Sequence, residues 1–390
     1  MWTIDKLIKI FGRESVIVKI VRYFSKIYGI IGEVAVPQLL QSIALMKIAN
    51  RYDLLRLRKH VMLHWDPGWV KSTLLRHMTM FIPREFTWTV ETALSEAVVR
   101  GSAVESRGRY RIIPPVLVKD LVIIPELSTA ISKSRPEVVE MFLEGLESSI
   151  MTVRLVKLAR ALDRTENREI LEQLGIEIVD NNTAIRYRPK ATVWTATHTL
   201  DNLPRAHQQA FLDRFTIVKI SRKLLDKDLL RIYDGLLNRD VDYEKQLVQE
   251  FQELLDTISF TDDDFKYVHQ VVKEFIVSLR EEGFPLSPRD CSELLRTAIA
   301  TNILVAQSPA PKPVLWSALE QMIPHLERKT LLEKIAEALR NKPMTIDEIC
   351  DEFGISEDYA TRIVKCYLRA SKMQMGTDEK GRPIVKYYLA

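Results

Sequence analysis

At 390 residues, with 46% hydrophobic and 28% charged side chains, the chain is long enough for two or three domains, and its composition excludes a disordered, collagen-like or disulfide-stapled protein. Its formal net charge is only +4, from 56 Lys and Arg against 52 Asp and Glu, so any nucleic-acid surface has to come from local clustering rather than bulk charge. Cys291, Cys350 and Cys366 form no C-x-x-C pair and have no histidine at ligand spacing, which argues against a zinc site and suits a reducing compartment.

The apolar runs Leu121–Pro125 and Val193–Ala196 are far below the roughly 20 residues a bilayer demands. Charges interrupt the opening stretch Met1–Ser15, so the expectation is a cytoplasmic protein with neither membrane contact nor a secretory leader.

In chain order, residues 1–26 carry Lys6, Lys9, Arg13, Lys19, Arg22 and Lys26 against Asp5 and Glu14, and Ile10, Phe11, Ile17, Val21 and Phe24 recur at helical spacing. That pattern predicts a basic amphipathic helix packed on the next domain with its lysines in water; membrane or DNA contact is the other use of such a face. From Tyr28 to Gln307 short apolar runs alternate with helical patterns. Val61–His64 precedes a helix at Lys71–Met80, Leu121–Ile124 precedes Pro136–Ser148, and Thr192–Thr197 precedes a segment ending at Phe215–Ile220. Strand then helix, repeated, predicts an α/β fold with an open parallel sheet covered on both faces.

Residues 222–306 read as helical, and Ser308–Pro313, SPAPKP, as a proline-rich spacer. Beyond it the pattern predicts helices at Leu331–Arg340, Thr345–Phe353 and Ser356–Ser371 and a hairpin over Met373–Leu389, the order of a winged helix-turn-helix. Its third helix and wing carry Arg362, Lys365, Arg369, Lys372, Lys380, Arg382 and Lys386 against Asp378 and Glu379. Such a surface suits phosphate contact through counterion release, although winged helices also dock proteins.

The strongest local motif is Trp65-Asp66-Pro67-Gly68-Trp69-Val70-Lys71-Ser72-Thr73, between a predicted strand and a predicted helix. In a phosphate-binding loop of the form G-x-x-x-x-G-K-[ST], backbone amides and the helix N-terminus surround the phosphates, the Lys neutralises them and the hydroxyl binds Mg²⁺. Lys71 and Ser72 stand in register, whereas Trp65 and Val70 occupy the two glycine positions. A second motif ends the apolar run at Pro125-Glu126, where a nucleoside triphosphatase normally has an Asp for the metal shell and a Glu for the attacking water. Proline cannot coordinate a metal; Glu126 keeps the base role.

Taken together these pieces resemble the AAA+ module of the minichromosome maintenance (MCM) helicases. The resemblance runs through Ile27-Tyr28-Gly29 with Glu33-Val34, Asp66-Pro67-Gly68 with Lys71-Ser72 and Leu74-Leu75-Arg76, and on to about residue 300. It implies ATP and Mg²⁺ at Asp66, Pro67, Gly68, Lys71, Ser72 and Thr73, with Ser72 on the metal and Glu126 as catalytic carboxylate. Thr192–His198 resembles the sensor 1 strand, with His198 in place of the usual water-polarising Asn. Leu212-Asp213-Arg214-Phe215 resembles the arginine-finger segment, which would put Arg214 against nucleotide in a neighbouring subunit, and Ser287-Pro288-Arg289 resembles sensor 2, with Arg289 reaching the γ-phosphate.

Residues between Ser149 and Pro189 stand where the family has its DNA-touching pre-sensor hairpin, here enlarged by a helical insertion. Arg154, Lys157, Arg160, Arg164, Arg186, Arg188 and Lys190 are its basic candidates, a solvated helix face being the plainer account of them. Only some 26 residues precede the match, so the resemblance is to a member without the N-terminal domain, and the terminal winged helix is typical of archaeal members.

The division implied is an N-terminal helix at 1–26, an AAA+ α/β core at 27–221, a helical lid at 222–307, a linker at 308–327 and a winged helix at 328–390. The expected function is an MCM-like DNA-binding protein of DNA replication, with a degenerate nucleotide site and weak or absent ATPase. It would assemble as a homo-oligomeric ring and meet replication proteins. The alternatives are an active ATP-dependent helicase and a DNA-binding transcription regulator that uses the AAA+ module to dimerise.

Overall fold

The most apolar short runs of the sequence become the middle of a parallel sheet in the computed structural model. The structure describes residues 2–51, 57–65, 70–106, 109–163, 168–198, 210–211, 213–219, 226–284, 286–305, 309–323, 331–353, 357–377 and 383–389. It divides into two compact units, Met1–Pro324 and His325–Ala390.

Three helices open the first unit: α1 (Ile4–Phe11), α2 (Val16–Tyr28) and α3 (Ile30–Arg51). Thr3 and Ser15 cap the first two by accepting from the amides of Lys6 and Ile17, and Gly12 and Gly29, both at positive φ, terminate them. The stretch expected as one helix over 1–26 is therefore two, because Gly12 supplies a break. Leu7, Ile10, Ile20, Val21 and Phe24 are buried, and Lys19 pairs with Glu250 at 2.9 Å.

Helix α3 contains a stretch, Ile30–Ala49, that is long and apolar enough to cross a membrane although polar residues interrupt it. Within the fold 83% of that stretch is buried, and Gln38, Gln41 and Ser42 lie buried on the same helix, so α3 serves as a core helix.

The sheet is built from β1 (His60–His64), β2 (Thr87–Thr89), β5 (Leu121–Ile124), β9 (Thr192–Thr197) and β10 (Phe215–Lys219). Its order is β10-β1-β9-β5-β2, and every adjacent pair is parallel. Counted by their order in the chain the strands run 5-1-4-3-2, so the connection from β1 runs toward the β2 edge and that from its neighbour β9 toward the β10 edge. The crevice at the carboxyl ends of β1 and β9 is the topological switch point of such a sheet. All four residues of β5 and all six of β9 are buried, as a sheet covered on both faces requires. The fold is thus the mixed α/β architecture that the strand and helix pattern predicts.

Between these strands lie α4 (Lys71–Met78), α5 (Glu96–Arg100), the hairpin β3 (Ser102–Ser106) and β4 (Arg109–Ile113), α6 (Leu127–Ser132) and α7 (Pro136–Gly145). The 149–189 region forms a small antiparallel sheet, β6 (Met151–Arg154), β7 (Ile176–Val179) and β8 (Ala184–Tyr187) in the order β6-β8-β7. Helices α8 (Val156–Leu162) and α9 (Arg168–Leu174) are the insertion within it.

After β10 come α10 (Asp226–Leu237), α11 (Val241–Asp256), α12 (Asp262–Glu281) and α13 (Pro288–Leu304). Thr261 with Asp264 and Ser287 with Asp290 form capping boxes at α12 and α13, and Pro288 stands at the first helical position. A buried ion cluster ties α13 to the sheet: Glu293 accepts from Thr216 at 2.5 Å and from Arg296 at 2.6 Å. Burial pushes its carboxyl up, but Arg296 and Lys59 outweigh that and hold it at about 2.

The stretch read as a spacer belongs to this unit. Helix α14 (Lys312–Glu320) begins within it and buries Leu315, Ala318 and Leu319, with Trp316 edge-on to Phe275 at 5.0 Å. Proline suits this place because it starts a helix as readily as it interrupts one.

In the second unit α15 (Leu331–Asn341), α16 (Ile346–Phe353) and α17 (Glu357–Arg362), continued by a π turn at Ile363–Tyr367, precede the hairpin β11 (Ser371–Thr377) and β12 (Pro383–Tyr388). Ile335, Leu339, Ile349, Ile363, Val364 and Tyr387 form its core. Thr345 caps α16, accepting from the amide of Glu348, whose carboxylate accepts from the Thr345 amide.

Candidate functional site

Parallel pairing brings the carboxyl ends of β1, β9 and β5 side by side, with His64 opposite Thr197 and Ile124 opposite Thr195. The next residues of each strand therefore share one edge. There the Ser72 hydroxyl donates to the carbonyl oxygen of Pro125 at 2.8 Å, and the His198 Nδ1 lies 3.6 Å from the Glu126 carboxylate. Ser128 steadies Glu126 by donating to the same carboxylate oxygen at 2.7 Å. Lys71, Ser72, Glu126 and His198, far apart in the chain, are thus one constellation.

Lys71 opens α4 and is buried; its ammonium donates to the Trp65 carbonyl oxygen at 2.8 Å and stands 5.5 Å from the centre of the Trp65 ring. Val70, the residue before it, has φ 40° and ψ 12° and makes no side-chain cap. That left-handed conformation is the reason a glycine suits this place in a phosphate-binding loop, and a β-branched residue there is strained. Thr73 is exposed on α4; Asp66, Pro67 and Gly68 lie outside the described residues.

This donor set suits an anion better than a divalent cation. The first turn of α4 and the Lys71 ammonium offer N–H groups and positive charge for phosphate oxygens. The Ser72 hydroxyl, which would ligate Mg²⁺, faces a neutral peptide oxygen at Pro125 where a carboxylate would compensate the ion's charge.

Beside Thr73 opens a cleft of about 500 Å³ lined by Tyr28, Thr73, Arg76, His77, Arg84, Leu236 and Arg239, among others. A buried network forms its floor. Glu244 on α11 accepts from Tyr23 at 2.7 Å, from His77 Nε2 at 2.9 Å, and from Arg239 at 2.9 and 2.6 Å, while Tyr28 bonds the other ring nitrogen of His77 at 2.9 Å. Burial alone would raise the Glu244 carboxyl, but the Arg239, Tyr23 and His77 bonds outweigh it and hold it at about 2. Burial also lowers the His77 pKa. Of these residues only Tyr28 lies in a motif that the sequence singles out, and only the fold brings His77 to a carboxylate on α11.

Arg214 and Arg289 stand elsewhere. Arg289 donates to Asp213 at 3.1 Å and to the Phe215 carbonyl oxygen at 2.6 Å; Arg214 donates to Glu147 at 2.7 Å and to the Ala210 carbonyl oxygen at 2.9 Å. Phe215 begins β10 and pairs with His60, the first residue of β1. Both arginines therefore lie at the amino edge of the sheet, separated from the carboxyl edge by the length of β1, about 13 Å at 3.3 Å per residue. The expectation that Arg289 reaches the phosphates held at Lys71 is not met within one chain, because Arg289 is tied to the wrong end of the strands.

Of the basic candidates in the inserted sheet, Arg186 lies 3.9 Å from Glu177, Lys190 lies 3.7 Å from Asp120, and Arg188 is exposed. In the second unit Arg362, Lys365, Arg369 and Lys372 are exposed, with Lys365 over the Tyr387 ring at 6.0 Å. Lys386 is tied instead to Glu348 of α16 at 3.0 Å. Lys380 and Arg382 lie outside the described residues.

No family model and no curated protein matches the sequence. Among solved structures, one from Cytophaga hutchinsonii, described as a "putative ATPase", is 14% identical over 84% of this chain and 94% of its own, with a TM-score of 0.43. A likeness that slight decides neither the fold nor the activity of this chain, and its own geometry has to carry the assignment.

Proposed function

We propose that the chain is an AAA+-type nucleotide-binding protein of the MCM kind that holds ATP at Lys71, Ser72 and Thr73, hydrolyses it slowly or not at all, and engages DNA in replication through a winged helix in its second unit. The observation that carries this reading is the Ser72–Pro125 contact: a strand, a turn bearing Lys-Ser and a helix meet the end of a neighbouring apolar strand, as a nucleotide site requires, but with a peptide oxygen where the metal's carboxylate belongs.

Nucleotide enters with its phosphates over the first turn of α4 and against Lys71, and its remainder lies in the cleft past Thr73. The charge there suits a polyanion. Hydrolysis is another matter, because removing a single preorganised charge-stabilising group costs about 10²–10³ in rate. The Asp is replaced by Pro125, the sensor 1 Asn by His198 and the first glycine by Trp65. The placement of Arg214 and Arg289 at the opposite edge of the sheet fits their donation to nucleotide held by a second copy.

One observation favours the alternative of a working helicase: Glu126 is held by Ser128 and sits beside His198, where it can take a proton from water. Binding of a fluorescent ATP analogue and steady-state hydrolysis, each with and without DNA, separate the two. Tight binding lost in Lys71→Ala with turnover at background supports the proposal; turnover of about 1 s⁻¹ or more, abolished by Lys71→Ala, supports the helicase.

A further inference from the structure

The cleft beside Thr73 runs the length of α4, from that residue in the first turn past Arg76 and His77 to Thr79 at the end of the helix, and on to Arg84. Thr73, Arg76 and Met80 follow one another at three- and four-residue spacing, so a single face of the helix and its continuation line it. Among the described residues no carboxylate lines the cleft, whereas three guanidinium groups do, those of Arg76, Arg84 and Arg239. An ATP molecule with its phosphates over the first turn of α4 would bring only a sugar and a base into this space. Neither is an anion, so the three arginines are left without a counterpart on that ligand.

Each arginine has donors to give. Arg239 donates from Nε and Nη2 to the buried Glu244, which fixes its guanidinium at the floor, and its Nη1 has no hydrogen-bond partner among the described residues. Arg76 meets Glu91 at 2.6 Å, but both side chains are 56% exposed, and a pair so open to water is weak enough for a phosphate to take the place of Glu91. Arg84 is exposed, and its side chain makes no ion pair or hydrogen bond among the described residues. From Lys71 to Arg76 the rise along α4 is about 7.5 Å at roughly 1.5 Å per residue, the reach of one pentose that carries phosphate on both its 5′ and 3′ oxygens. The cleft volume, about 500 Å³, suits one small ligand of that size and not a polynucleotide strand.

We propose that this cleft selects nucleotides that carry a second phosphate on the 3′ oxygen of the ribose, held by Arg76, Arg84 and Arg239 while Lys71 and Ser72 hold the 5′ phosphates. The inference rests on the proposed function for the 5′ end and extends it to the class of nucleotide bound. Arginine suits the second subsite because its planar fork matches two phosphate oxygens at once, and because it stays charged at any working pH. Arg239 is set in place beforehand by Glu244, and Arg76 and Arg84 close on the phosphate from the open side.

Calorimetric titration of the full chain with ADP and with adenosine 3′-phosphate 5′-diphosphate, which differ only in that phosphate, tests it at about 0.15 M salt. The wild type binds the 3′-phosphorylated nucleotide about tenfold more tightly or better, as charge-assisted hydrogen bonds to a phosphate allow. Arg84→Ala and Arg76→Ala, both surface changes, each bring the ratio of the two affinities below about threefold. Arg135→Ala removes an exposed arginine outside the cleft and leaves the ratio at its wild-type value. A wild-type ratio near one overturns the proposal, as does an equal fall in Arg135→Ala, which would trace the preference to bulk charge. The two readings fail separately. ADP bound through Lys71 with a ratio near one keeps the nucleotide site and removes the second phosphate, whereas no binding of either nucleotide, or binding of both that Lys71→Ala does not alter, removes the nucleotide site and this inference with it.

Discussion

Ser72 and Pro125 meet through a 2.8 Å hydrogen bond from the serine hydroxyl to the proline carbonyl oxygen, which joins the helix after the first strand to the end of the strand two places away in the sheet. The Ser72 hydroxyl therefore faces a neutral peptide oxygen rather than a carboxylate. Replacing Pro125 with Asp returns a carboxylate beside the hydroxyl, and since Pro125 follows the last paired residue of β5 the change leaves the ladder intact. The expected outcome for Pro125→Asp is Mg²⁺-dependent ATP hydrolysis at least tenfold above the wild type, lost again when Lys71→Ala is added. An unchanged rate, measured by phosphate release, would mean that the metal anchor is not what limits the site.

Val70 offers a second test, of stability rather than chemistry. Its φ of 40° costs a β-branched side chain about 1–3 kcal/mol, while glycine adopts the same backbone freely at the expense of greater unfolded-state entropy, about 1 kcal/mol. Val70→Gly is expected to leave stability level or raise it by up to about 2 kcal/mol. Alanine, which keeps a Cβ at positive φ, should not match it. Denaturant midpoints of the three proteins check this.

The strands and helices around this site are legible in the sequence because each is set by its own residues. Thr192–Thr197 and Leu121–Ile124 are apolar runs bounded by polar turns, and they fold as β9 and β5 with those limits. The second unit is legible for the same reason, since Thr345 and Glu348 announce a cap and the residues after Ala370 alternate. What the sequence conceals depends on pairing across distance. The position of Arg289 follows from the strand end it binds, and the Tyr23, His77, Arg239 and Glu244 network joins three helices and a connecting loop that no local pattern relates. Proline misleads at 308–313, where it opens a packed helix, and the scattered glutamines, serine and proline of α3 break up its apolar content so that it escapes a search for unbroken runs.

That network contributes to the acid stability of the first unit, alongside Glu293, which Arg296 and Lys59 hold equally low. Glu244 is held at about 2, against 4.5 when unperturbed, so the unfolded chain takes up its proton first as the pH falls. Its contribution, about 3 kcal/mol from a shift of that size, is fully present above pH 4.5 and is lost as pH falls from there toward 2. His77 acts in the same sense at higher pH: its lowered pKa means that the unfolded chain protonates first below about 6.5, again at the expense of the folded state. Glu244→Gln should destabilise the protein by about 3 kcal/mol at pH 7, because Arg239 and His77 lose their acceptor, and should flatten the decline below pH 4.5. Unfolding midpoints of both proteins at pH 7, 5 and 4 read the two effects, and parallel declines would exclude Glu244 as their source.

The second unit separates lysines and arginines that face solvent from one that does not. Arg362 and Arg369 are exposed on and just past the third helix, whereas Lys386 is neutralised by Glu348 at 3.0 Å, and the Thr345 amide first, with Lys386 after it, holds the Glu348 carboxyl below its ordinary value. If DNA lies along the third helix, each exposed arginine that displaces a phosphate counterion adds about 0.9 to the slope of log affinity against log salt. Arg362→Ala and Arg369→Ala should then each weaken duplex binding by the full chain and lower that slope by about 1, while Lys386→Ala leaves the slope within error. Equal losses from all three substitutions would place the DNA across the hairpin instead, and a slope near zero for the wild type would assign this unit to a protein partner.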